Sequence, residues 1–303
     1  MLRQTLIYLS KQQRINDFIR TNWLASRFAS RFVAGDTLDT AVAAVRELNT
    51  KGITATLDLL GESVRTQEEA RSAVAGALSI LEKIAAEKAP ANMSIKLTQL
   101  GFDLDAAEFA AAIRRILDRA KELGIFVRVD MEGSAHTQRT LDLFEKELRP
   151  VYGDGVGIVI QSYLRRSAAD VERLIAAKAK VRLCKGAYAE DDTVAHGTRA
   201  AIDVSYRQAL DALWDSPGTP LVATHDPVLI NYTRQLDLRH PRPFEFQMLY
   251  GVRPDEQTLL ARCGYAVRVY VPYGNEWYGY LTRRLAERPA NLAFFLRAMA
   301  SRH

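Results

Sequence analysis

Short apolar runs alternate with longer stretches of mixed polarity through most of the chain after residue 50. Eight of the short runs are rich in branched and aromatic residues and are predicted to form strands. They are Ile53–Leu59, Met93–Leu97, Ile125–Asp130, Val156–Gln161, Val181–Cys184, Leu221–Thr224, Phe244–Met248 and Val267–Val271. Because most of them are apolar without interruption, they are typical of parallel strands that are buried on both faces.

The segments between these strands carry apolar residues at helical spacing and are predicted to form helices. They are Thr66–Lys88, Asp105–Leu123, Ala135–Leu148, Ala168–Lys178, Ala200–Trp214, Asp226–Gln235, Asp255–Arg262 and Glu276–Arg302. Eight such units in about 250 residues predict a (β/α)8 TIM-like barrel with extra N-terminal helices. A doubly wound sheet is the main alternative, but it usually has a glycine-rich turn after its first strand. The glycines of Gly153–Gly157 instead precede a strand, and we interpret them as a turn.

Residues 1–50 are predicted to form a helical segment packed on the barrel, and residues 51–303 are predicted to form the barrel itself. Apolar residues recur near the N-terminus at near-helical spacing, at Leu2, Leu6, Leu9, Ile15, Phe18, Ile19 and Trp23. Basic residues occupy the other faces of this helix, so that it either packs on its own domain or touches an anionic membrane surface. A basic leader with few acids also resembles a mitochondrial transit peptide.

The composition narrows the classes of protein that the chain can be. Apolar residues make up 48% of the 303 residues, which is enough for a large core and argues against disorder. The formal charge of +5 permits attraction to anionic substrates or lipids, but no basic tract with interleaved aromatics indicates nucleic-acid binding. Two distant cysteines and five scattered histidines predict neither a disulfide framework nor a metal site. No apolar run reaches the roughly 18 residues of a membrane span.

Polar side chains stand at the end of nearly every predicted strand, where the active sites of barrel enzymes lie. In chain order they are Asp58 and Glu62, Lys96, Asp130 and Glu132, Gln161, Arg182 and Lys185, Thr224 and His225, Glu245 and Gln247, and Tyr270. A buried polar group without a partner costs about 1–3 kcal/mol. One such group has an ordinary structural explanation, but matching positions on eight strands predict a polar site at the mouth of the barrel.

Two adjacent arginines, Arg283 and Arg284, follow the last strand near the start of the final predicted helix. Such a pair can hold a carboxylate from two sides, and the alternative is two solvated helix residues. With Lys96, Arg182 and Lys185 they bring up to five positive charges near one mouth, which favours an anionic ligand. The pattern therefore predicts a small carboxylic acid as the substrate.

Two further features concern the walls of this site. Gly186 and Ala187 follow Lys185 and let backbone amides approach a ligand closely, unless the run is an ordinary strand-to-helix turn. Tyrosines near the last strand can enclose a small apolar ring while their hydroxyls reach polar groups. We interpret Glu132 as an ion-pair partner of nearby cations.

Five short segments together resemble the proline dehydrogenase family. They are Ser94–Leu97 (SIKL), Arg182–Tyr188 (RLCKGAY), Ala223–Asp226 (ATHD), Phe244–Gly251 (FEFQMLYG) and Tyr280–Arg284 (YLTRR). They occur in the order of the family, and the resemblance covers roughly residues 50–290. The chain is most similar to the short monofunctional bacterial type, whose members lack the aldehyde dehydrogenase domain of the bifunctional proteins.

The resemblance implies a distorted (β/α)8 barrel that carries FAD without a dinucleotide-binding domain. It also implies oxidation of L-proline to Δ1-pyrroline-5-carboxylate, the first step of proline catabolism, with electrons passed to a membrane quinone. The expected location is cytoplasmic and peripheral, on the inner face of the bacterial cytoplasmic membrane, and a mitochondrial location stays open.

The resemblance also implies roles for single residues. It places the proline carboxylate on Arg283, Arg284 and Lys96, and the pyrrolidine ring against Tyr270, Tyr280 and Leu249. Arg182 is expected beside the flavin N5, and Asp130 is expected to orient cationic neighbours. The residues expected to hold other parts of FAD are Met131, Gln161, Lys185, Gly186, Ala187, Thr224 and His225. Glu62 is expected to pair with Arg283 as a gate over the substrate.

Two other classes of protein remain as alternatives. A Schiff-base aldolase is also a barrel with a lysine at a strand end, and Lys96 or Lys185 could serve in that role. A barrel without catalytic activity that senses a ligand is the other.

Overall fold

The structure is a computed structural model that describes residues 30–61, 64–277 and 279–281. Eight parallel strands pair in chain order, and the last pairs with the first, so that the sheet closes into a barrel. The strands are β1 (Thr54–Leu59), β2 (Ala91–Ile95), β3 (Val127–Val129), β4 (Val156–Gln161), β5 (Lys180–Cys184), β6 (Leu221–Ala223), β7 (Glu245–Leu249) and β8 (Ala266–Tyr273). The predicted (β/α)8 barrel is thereby confirmed.

Helices surround the barrel and connect its strands. They are α1 (Leu38–Asn49), α2 (Gln67–Ala86), α3 (Ala106–Leu123), α4 (Ser134–Leu143), α5 (Arg149–Tyr152), α6 (Ser167–Ala176), α7 (Arg199–Asp215), α8 (Pro227–Arg239) and α9 (Pro254–Arg262). A π-helical turn, Phe144–Leu148, joins α4 to α5, and 3-10 turns occupy Leu97–Leu100 and Gly153–Gly155. Most of the predicted helix Glu276–Arg302 lies outside the described residues.

Polar caps fix where several helices begin. The hydroxyl of Thr66 accepts a hydrogen bond from the N–H of Glu69, whose carboxylate accepts one from the N–H of Thr66, so that α2 starts in a reciprocal capping box. Asp105 caps α3, and Asp226 caps α8 directly before Pro227. These caps set the lengths of the loops at the mouth of the barrel.

The two faces of each strand differ in character. Outward-facing residues such as Leu57, Val129 and Phe246 are fully buried against the helices and form the hydrophobic core. The inward face is polar, whereas barrels are commonly filled with branched apolar side chains. Thr56 donates to Oδ1 of Asn92 at 2.5 Å across this interior. The barrel is therefore filled by a hydrogen-bonded network that continues into the site at its mouth.

Arg128 is the largest fully buried side chain of the described residues. Its Nη1 donates to the carbonyls of Ile158 at 3.2 Å and Lys180 at 3.3 Å, and its guanidinium faces the ring of Phe126 at 4.8 Å. Burial lowers the pKa of Arg128 well below its usual value, and the charge of Arg182 adds to the effect. Arg128 thus ties three strands together beneath the site.

The chain passes the carboxyl ends of β7 and β8 before it enters α1. The N–H of Ala34 donates to the carbonyl of Pro272 at 2.9 Å, and the N–H of Gly274 donates to the carbonyl of Gly35 at 3.0 Å. Gly251 has a φ of +70°, and a Cβ there would overlap the carbonyl of Arg31. Apolar residues of α1 share the core of the barrel. The remainder of the predicted N-terminal segment, residues 1–29, lies outside the described residues.

The described part of the chain contains no helix with both the length and the apolar character required to span a bilayer.

Candidate active site

A cavity of about 710 Å³ opens at the carboxyl ends of the strands. The predicted site residues that line it are Lys96, Asp130, Met131, Gln161, Arg182, Lys185, Gly186, Ala187, Thr224, His225, Leu249, Tyr270 and Tyr280. Glu62, Arg283 and Arg284 lie outside the described residues, so that the predicted gate and arginine pair have no structural description. The fold therefore brings the described candidates to one place, while their individual roles stay predictions.

Asp130 is the centre of the hydrogen-bond network in this cavity. Its Oδ1 accepts from Nη1 of Arg182 at 3.1 Å and from the hydroxyl of Ser94 at 3.1 Å. Its Oδ2 accepts from the hydroxyl of Tyr270 at 2.7 Å. Because both oxygens are engaged, the carboxylate contacts a cation on one side and a phenol on the other.

Lys96 lies between two carboxylates. Its Nζ is 2.6 Å from Oδ1 of Asp58 and 3.8 Å from Oδ2 of Asp130, and it donates to the hydroxyl of Tyr270 at 3.3 Å. Burial alone would lower the pKa of Lys96, but the two carboxylates outweigh it and raise that pKa. Lys96 is therefore held in its charged form.

We call Asp58, Lys96, Asp130, Arg182 and Tyr270 the inner cluster. Burial raises the pKa of Asp58, and burial together with the neighbouring carboxylates raises the pKa of Tyr270 well above its usual value. The phenol is therefore neutral and serves as a donor. With both aspartates ionised, the charges of the two carboxylates balance those of the lysine and the arginine.

Arg182 is held by Gln247 on the side away from the mouth of the barrel as well as by Asp130 at the mouth. Its Nε donates to Oε1 of Gln247, and Nε2 of Gln247 donates to Oε1 of Glu245 at 2.6 Å. The same oxygen of Glu245 is 2.9 Å from Nε of Arg268. The sequence interpretation had placed Glu245 at the end of its strand, and this was wrong. It is the first residue of β7, so that it lies at the amino end of the strand, away from the mouth, and it shares its face of the strand with Gln247.

A second charged group lines the opposite wall of the cavity. Nζ of Lys185 is 2.7 Å from Oδ2 of Asp226 and 2.5 Å from Oδ1 of Asp203, and Nη2 of Arg199 is 2.8 Å from Oδ2 of Asp226. Burial alone would raise the pKa of Asp226, but hydrogen bonds from Lys185, Arg199 and the N–H of Val228 lower it below its usual value. Sequence reasoning missed Asp226 as a site residue, although an aspartate directly before a proline is a recognisable helix cap.

Other cavity residues are held by the backbone. Nε2 of His225 accepts from the N–H of Leu249 at 2.8 Å, and Nε2 of Gln161 donates to the carbonyl of Met131 at 2.8 Å. Oε1 of Gln161 is buried and has no hydrogen-bond partner among the described residues. A buried acceptor of this kind, in a cavity wall, indicates a place for a ligand donor.

The family model for proline dehydrogenase matches residues 41–297. The chain belongs to the proline dehydrogenase family. It is 39% identical to "Proline dehydrogenase 1" of Bacillus subtilis subsp. natto over 303 residues, which cover 99% of each chain. It is 36% identical to "Proline dehydrogenase" of Deinococcus radiodurans over 306 residues, which cover 99% of this chain and 98% of that one. The resemblance identified in the sequence is confirmed.

Solved structures agree with this family. The structure of proline utilization A (PutA) from Bdellovibrio bacteriovorus, inactivated by N-propargylglycine, superposes with a TM-score of 0.82 at 26% identity. The match covers 91% of this chain but 34% of that one, so that the chain spans about a third of the length of that PutA. The relation therefore supports a barrel of the proline dehydrogenase type.

Sequence reasoning missed Glu190, which anchors the loop after β5. The carboxylate of Glu190 accepts from the N–H of Ser134 at 2.7 Å, at the start of α4, and from the hydroxyl of Tyr163 at 3.3 Å. Gly186 has a φ of +105°, and a Cβ there would overlap the ring of Tyr163. These contacts fix the run that follows Lys185 against two neighbouring loops.

The structure shows hydrogen bonds from Thr98 to Glu132, where the sequence predicted an ion pair with a nearby cation. Its carboxylate accepts from the N–H of Thr98 at 3.1 Å and from the hydroxyl of Thr98 at 2.5 Å.

Within the described ranges, no group of three or more His, Cys, Asp or Glu side chains is arranged to hold a metal ion.

Proposed function

We propose that this enzyme oxidises L-proline to Δ1-pyrroline-5-carboxylate with FAD as cofactor and passes the electrons to a quinone, as the first step of proline catabolism. The observation that carries the proposal is the charge-balanced inner cluster at the mouth of a barrel of the proline dehydrogenase family. The members of this cluster are held in place by one another, which suits a site that must fix a small polar substrate.

The cavity fits FAD on several grounds. Its volume of about 710 Å³ suits a cofactor, and the orphaned Oε1 of Gln161 offers an acceptor for a donor of the ring system. Gly186 and Ala187 line the wall with small side chains that let a ligand approach the backbone, and Thr224 and His225 line the same cavity. We assign Met131, Gln161, Lys185, Gly186, Ala187, Thr224 and His225 to FAD, with Arg182 beside its N5. When bound, FAD would accept the hydride equivalent from the carbon next to the proline nitrogen at its N5.

The charge balance of the inner cluster has a consequence for the substrate. An added carboxylate would leave a net negative charge in a buried place, which is unfavourable unless further cations are present. Arg283 and Arg284 are the candidates for that charge, with Lys96 as a third contact. A carboxylate held by this set would keep proline in one orientation in the cavity.

The ring of proline requires an apolar wall. Leu249, Tyr270 and Tyr280 line the cavity, and Tyr270 combines an aromatic face with a hydroxyl that the inner cluster holds in place. Such side chains enclose a small ring and exclude water from it. We also propose the gate between Glu62 and Arg283, which would close the cavity over the substrate.

The state of the lysines separates this function from that of a Schiff-base aldolase. A nucleophilic lysine needs a lowered pKa, whereas the carboxylates beside Lys96 raise its pKa. Lys185 forms ion pairs with Asp203 and Asp226. Lys96 is therefore held as a cation and Lys185 is engaged by two carboxylates, and the ligand-sensor alternative is left for the experiment to exclude.

A quinone acceptor implies contact with a membrane, and we propose that the enzyme is cytoplasmic and associates with the inner face of the bacterial cytoplasmic membrane through its N-terminal helix. The contacts of Arg31, Ala34 and Gly35 with the barrel show where the chain can be shortened to test this proposal. A chain that lacks residues 1–29 keeps those contacts. If it floats with anionic liposomes as well as the full chain does, the N-terminal helix is not the anchor.

The experiment that tests the proposed function is a visible absorption spectrum of the purified protein, followed by anaerobic addition of L-proline. A flavin spectrum that bleaches with proline establishes the cofactor and the reaction. A flavin that stays oxidised would contradict proline as the substrate. A protein without flavin, even after incubation with FAD, would contradict the cofactor and favour a sensor.

A further inference from the structure

The polar filling of the barrel continues below the inner cluster as one chain of hydrogen bonds. Nε of Arg268 donates to Oε1 of Glu245 at 2.9 Å, and Nε2 of Gln247 donates to the same oxygen at 2.6 Å. Oε1 of Gln247 then accepts from Nε of Arg182, whose Nη1 reaches Asp130 at 3.1 Å. This series of hydrogen bonds thus runs from β8 through β7 to β5 and the end of β3.

The direction of these hydrogen bonds is set at both ends, by Glu245 and by Arg182. A carboxylate only accepts hydrogen bonds and a guanidinium only donates them, whereas an amide has one end of each kind. Because Gln247 must present its NH2 group to Glu245, its oxygen faces Arg182. Gln247 is 5% exposed and Arg182 is 7% exposed, so that solvent does not replace either partner.

We propose that Glu245 is a positioning residue for Arg182 that acts through the amide of Gln247. Without an acceptor at position 245 the NH2 group of Gln247 loses its partner, so that the amide is held at its oxygen end alone and fixes the Nε of Arg182 less firmly. The guanidinium is then held mainly through Nη1, which donates to Asp130 and Ser94, and it lies less firmly over the ring of Tyr270, whose centre is 5.3 Å from its Cζ. The effect on catalysis rests on the proposed function, in which Arg182 lies beside the flavin.

Two substitutions separate this role from a simple effect of charge. Glu245→Gln and Glu245→Met both remove the charge opposite Arg268, and both therefore carry the same electrostatic loss. Only Glu245→Gln keeps an oxygen that can accept from Gln247 and from Arg268, as the single Oε1 of Glu245 does. Thr56→Val is the matched control, because it breaks another buried hydrogen bond of the barrel interior, to Asn92.

The first readout does not depend on the flavin. The side-chain Nε–H signal of Arg182 in a ¹⁵N spectrum is assigned as the signal missing from Arg182→Lys, and its rate of hydrogen exchange is measured. We expect slow exchange in the wild type, Glu245→Gln and Thr56→Val, and fast exchange in Glu245→Met. Slow exchange in Glu245→Met, or fast exchange in both variants at position 245, would overturn the proposal.

The second readout is the rate at which proline reduces the bound flavin. We expect Glu245→Met to reduce this rate about ten- to a hundredfold, with the dissociation constant of FAD within about twofold of the wild type. Glu245→Gln should stay within about threefold of the wild type. Equal loss in both variants would assign the effect to charge and contradict the proposal. If proline fails to reduce the wild-type flavin, the proposed function fails, and the exchange measurement still decides the role of Glu245.

Discussion

Tyr270 and Asp130 are joined by a hydrogen bond of 2.7 Å from the phenol to Oδ2 of the carboxylate, although they are 140 positions apart in the chain. Burial raises the pKa of Tyr270 well above its usual value, and the nearby carboxylates add to the effect. The phenol therefore remains a donor at any working pH. It holds Asp130 in the orientation that presents its other oxygen to Arg182.

Tyr270→Phe should weaken catalysis without loss of FAD. It removes the donor to Asp130 and the acceptor of Lys96 while the ring stays in place. We expect kcat/KM for proline to fall about ten- to a hundredfold, from the loss of two hydrogen bonds to charged groups. Tyr273→Phe is the control, because Tyr273 lies on the same strand but belongs to the hydrophobic core. Unchanged constants in Tyr270→Phe would remove the phenol from the mechanism.

The pH dependence of the reaction should reflect the substrate and not Lys96. The pKa of Lys96 is raised above its usual value of 10.5, so that its charge is complete below that pH and is lost only as the pH rises through the higher folded value. The proposed reaction uses proline with its amine neutral, and kcat/KM should therefore rise with pH throughout the range below about 10 as the neutral fraction grows. A descending limb below pH 10 that vanishes in Lys96→Met would show that Lys96 titrates earlier than the structure indicates.

The charge of Asp226 should stabilise the fold in a pH-dependent way. Its pKa is lowered by Lys185 and Arg199, so its contribution is present above the unfolded pKa of about 3.9 and is lost as the pH falls through the folded value. Asp226→Asn keeps the side-chain oxygen that caps α8, removes the charge, and replaces the oxygen that accepts from Lys185 and Arg199 by an NH2 group. We expect its Tm to lie about 2–4 °C below the wild type at pH 7.

The Tm values of the wild type and Asp226→Asn at low pH test the predicted direction of this pH dependence. The difference in Tm between the wild type and Asp226→Asn should shrink as the pH falls below about 4, because the carboxyl of the unfolded chain then binds protons while the folded one, with its lowered pKa, binds them only at still lower pH. A difference that is constant from pH 7 to pH 3 would mean that the charge contributes nothing and that the amide itself perturbs the loop.

The barrel could be predicted from the sequence because its strands are buried on both faces or end in a polar side chain. Runs such as Val156–Gln161 have no competing interpretation once eight of them alternate with helices. The mouth of the barrel could be predicted for a related reason, since parallel strands bring their carboxyl ends together. The pattern thus identifies which residues converge, as Lys96, Asp130 and Tyr270 do.

The partners of those residues could not be predicted. Val127-Arg128-Val129 has the alternation of a half-exposed strand, and only the closed barrel shows that Arg128 is fully buried. Glu245 was placed at the wrong end of β7, since the position of a side chain along the barrel axis depends on strand bounds and register. The contact of Glu190 with Ser134 joins two loops 56 positions apart and leaves no signal in one sequence.

Glu190→Gln should weaken the binding of FAD. Glu190 holds the loop after β5 by accepting from Ser134 and Tyr163, and that loop carries Lys185 and Gly186 of the proposed cofactor site. Loss of the charge from these hydrogen bonds should raise the dissociation constant of FAD about tenfold. Fluorescence titration of the apoprotein with FAD measures it.

Asp191→Asn is the control for this prediction. Asp191 lies on the same loop, is exposed and accepts from the N–H of Thr193. Its substitution should leave the binding of FAD within about twofold of the wild type. Equal weakening in both variants would attribute the effect to the net charge of the loop instead of the anchor at Ser134.

Arg284→Ala should raise the KM for proline while FAD remains bound. The carboxylates and cations of the inner cluster balance, so the positive charge that an anionic substrate needs must come from residues outside it. Loss of one charge-assisted contact to a carboxylate corresponds to about a ten- to hundredfold rise in KM. Arg297→Ala removes the same charge further along the same predicted helix and should leave KM unchanged. If both variants raise KM equally, the substrate responds to the overall charge and not to an arginine that holds its carboxylate.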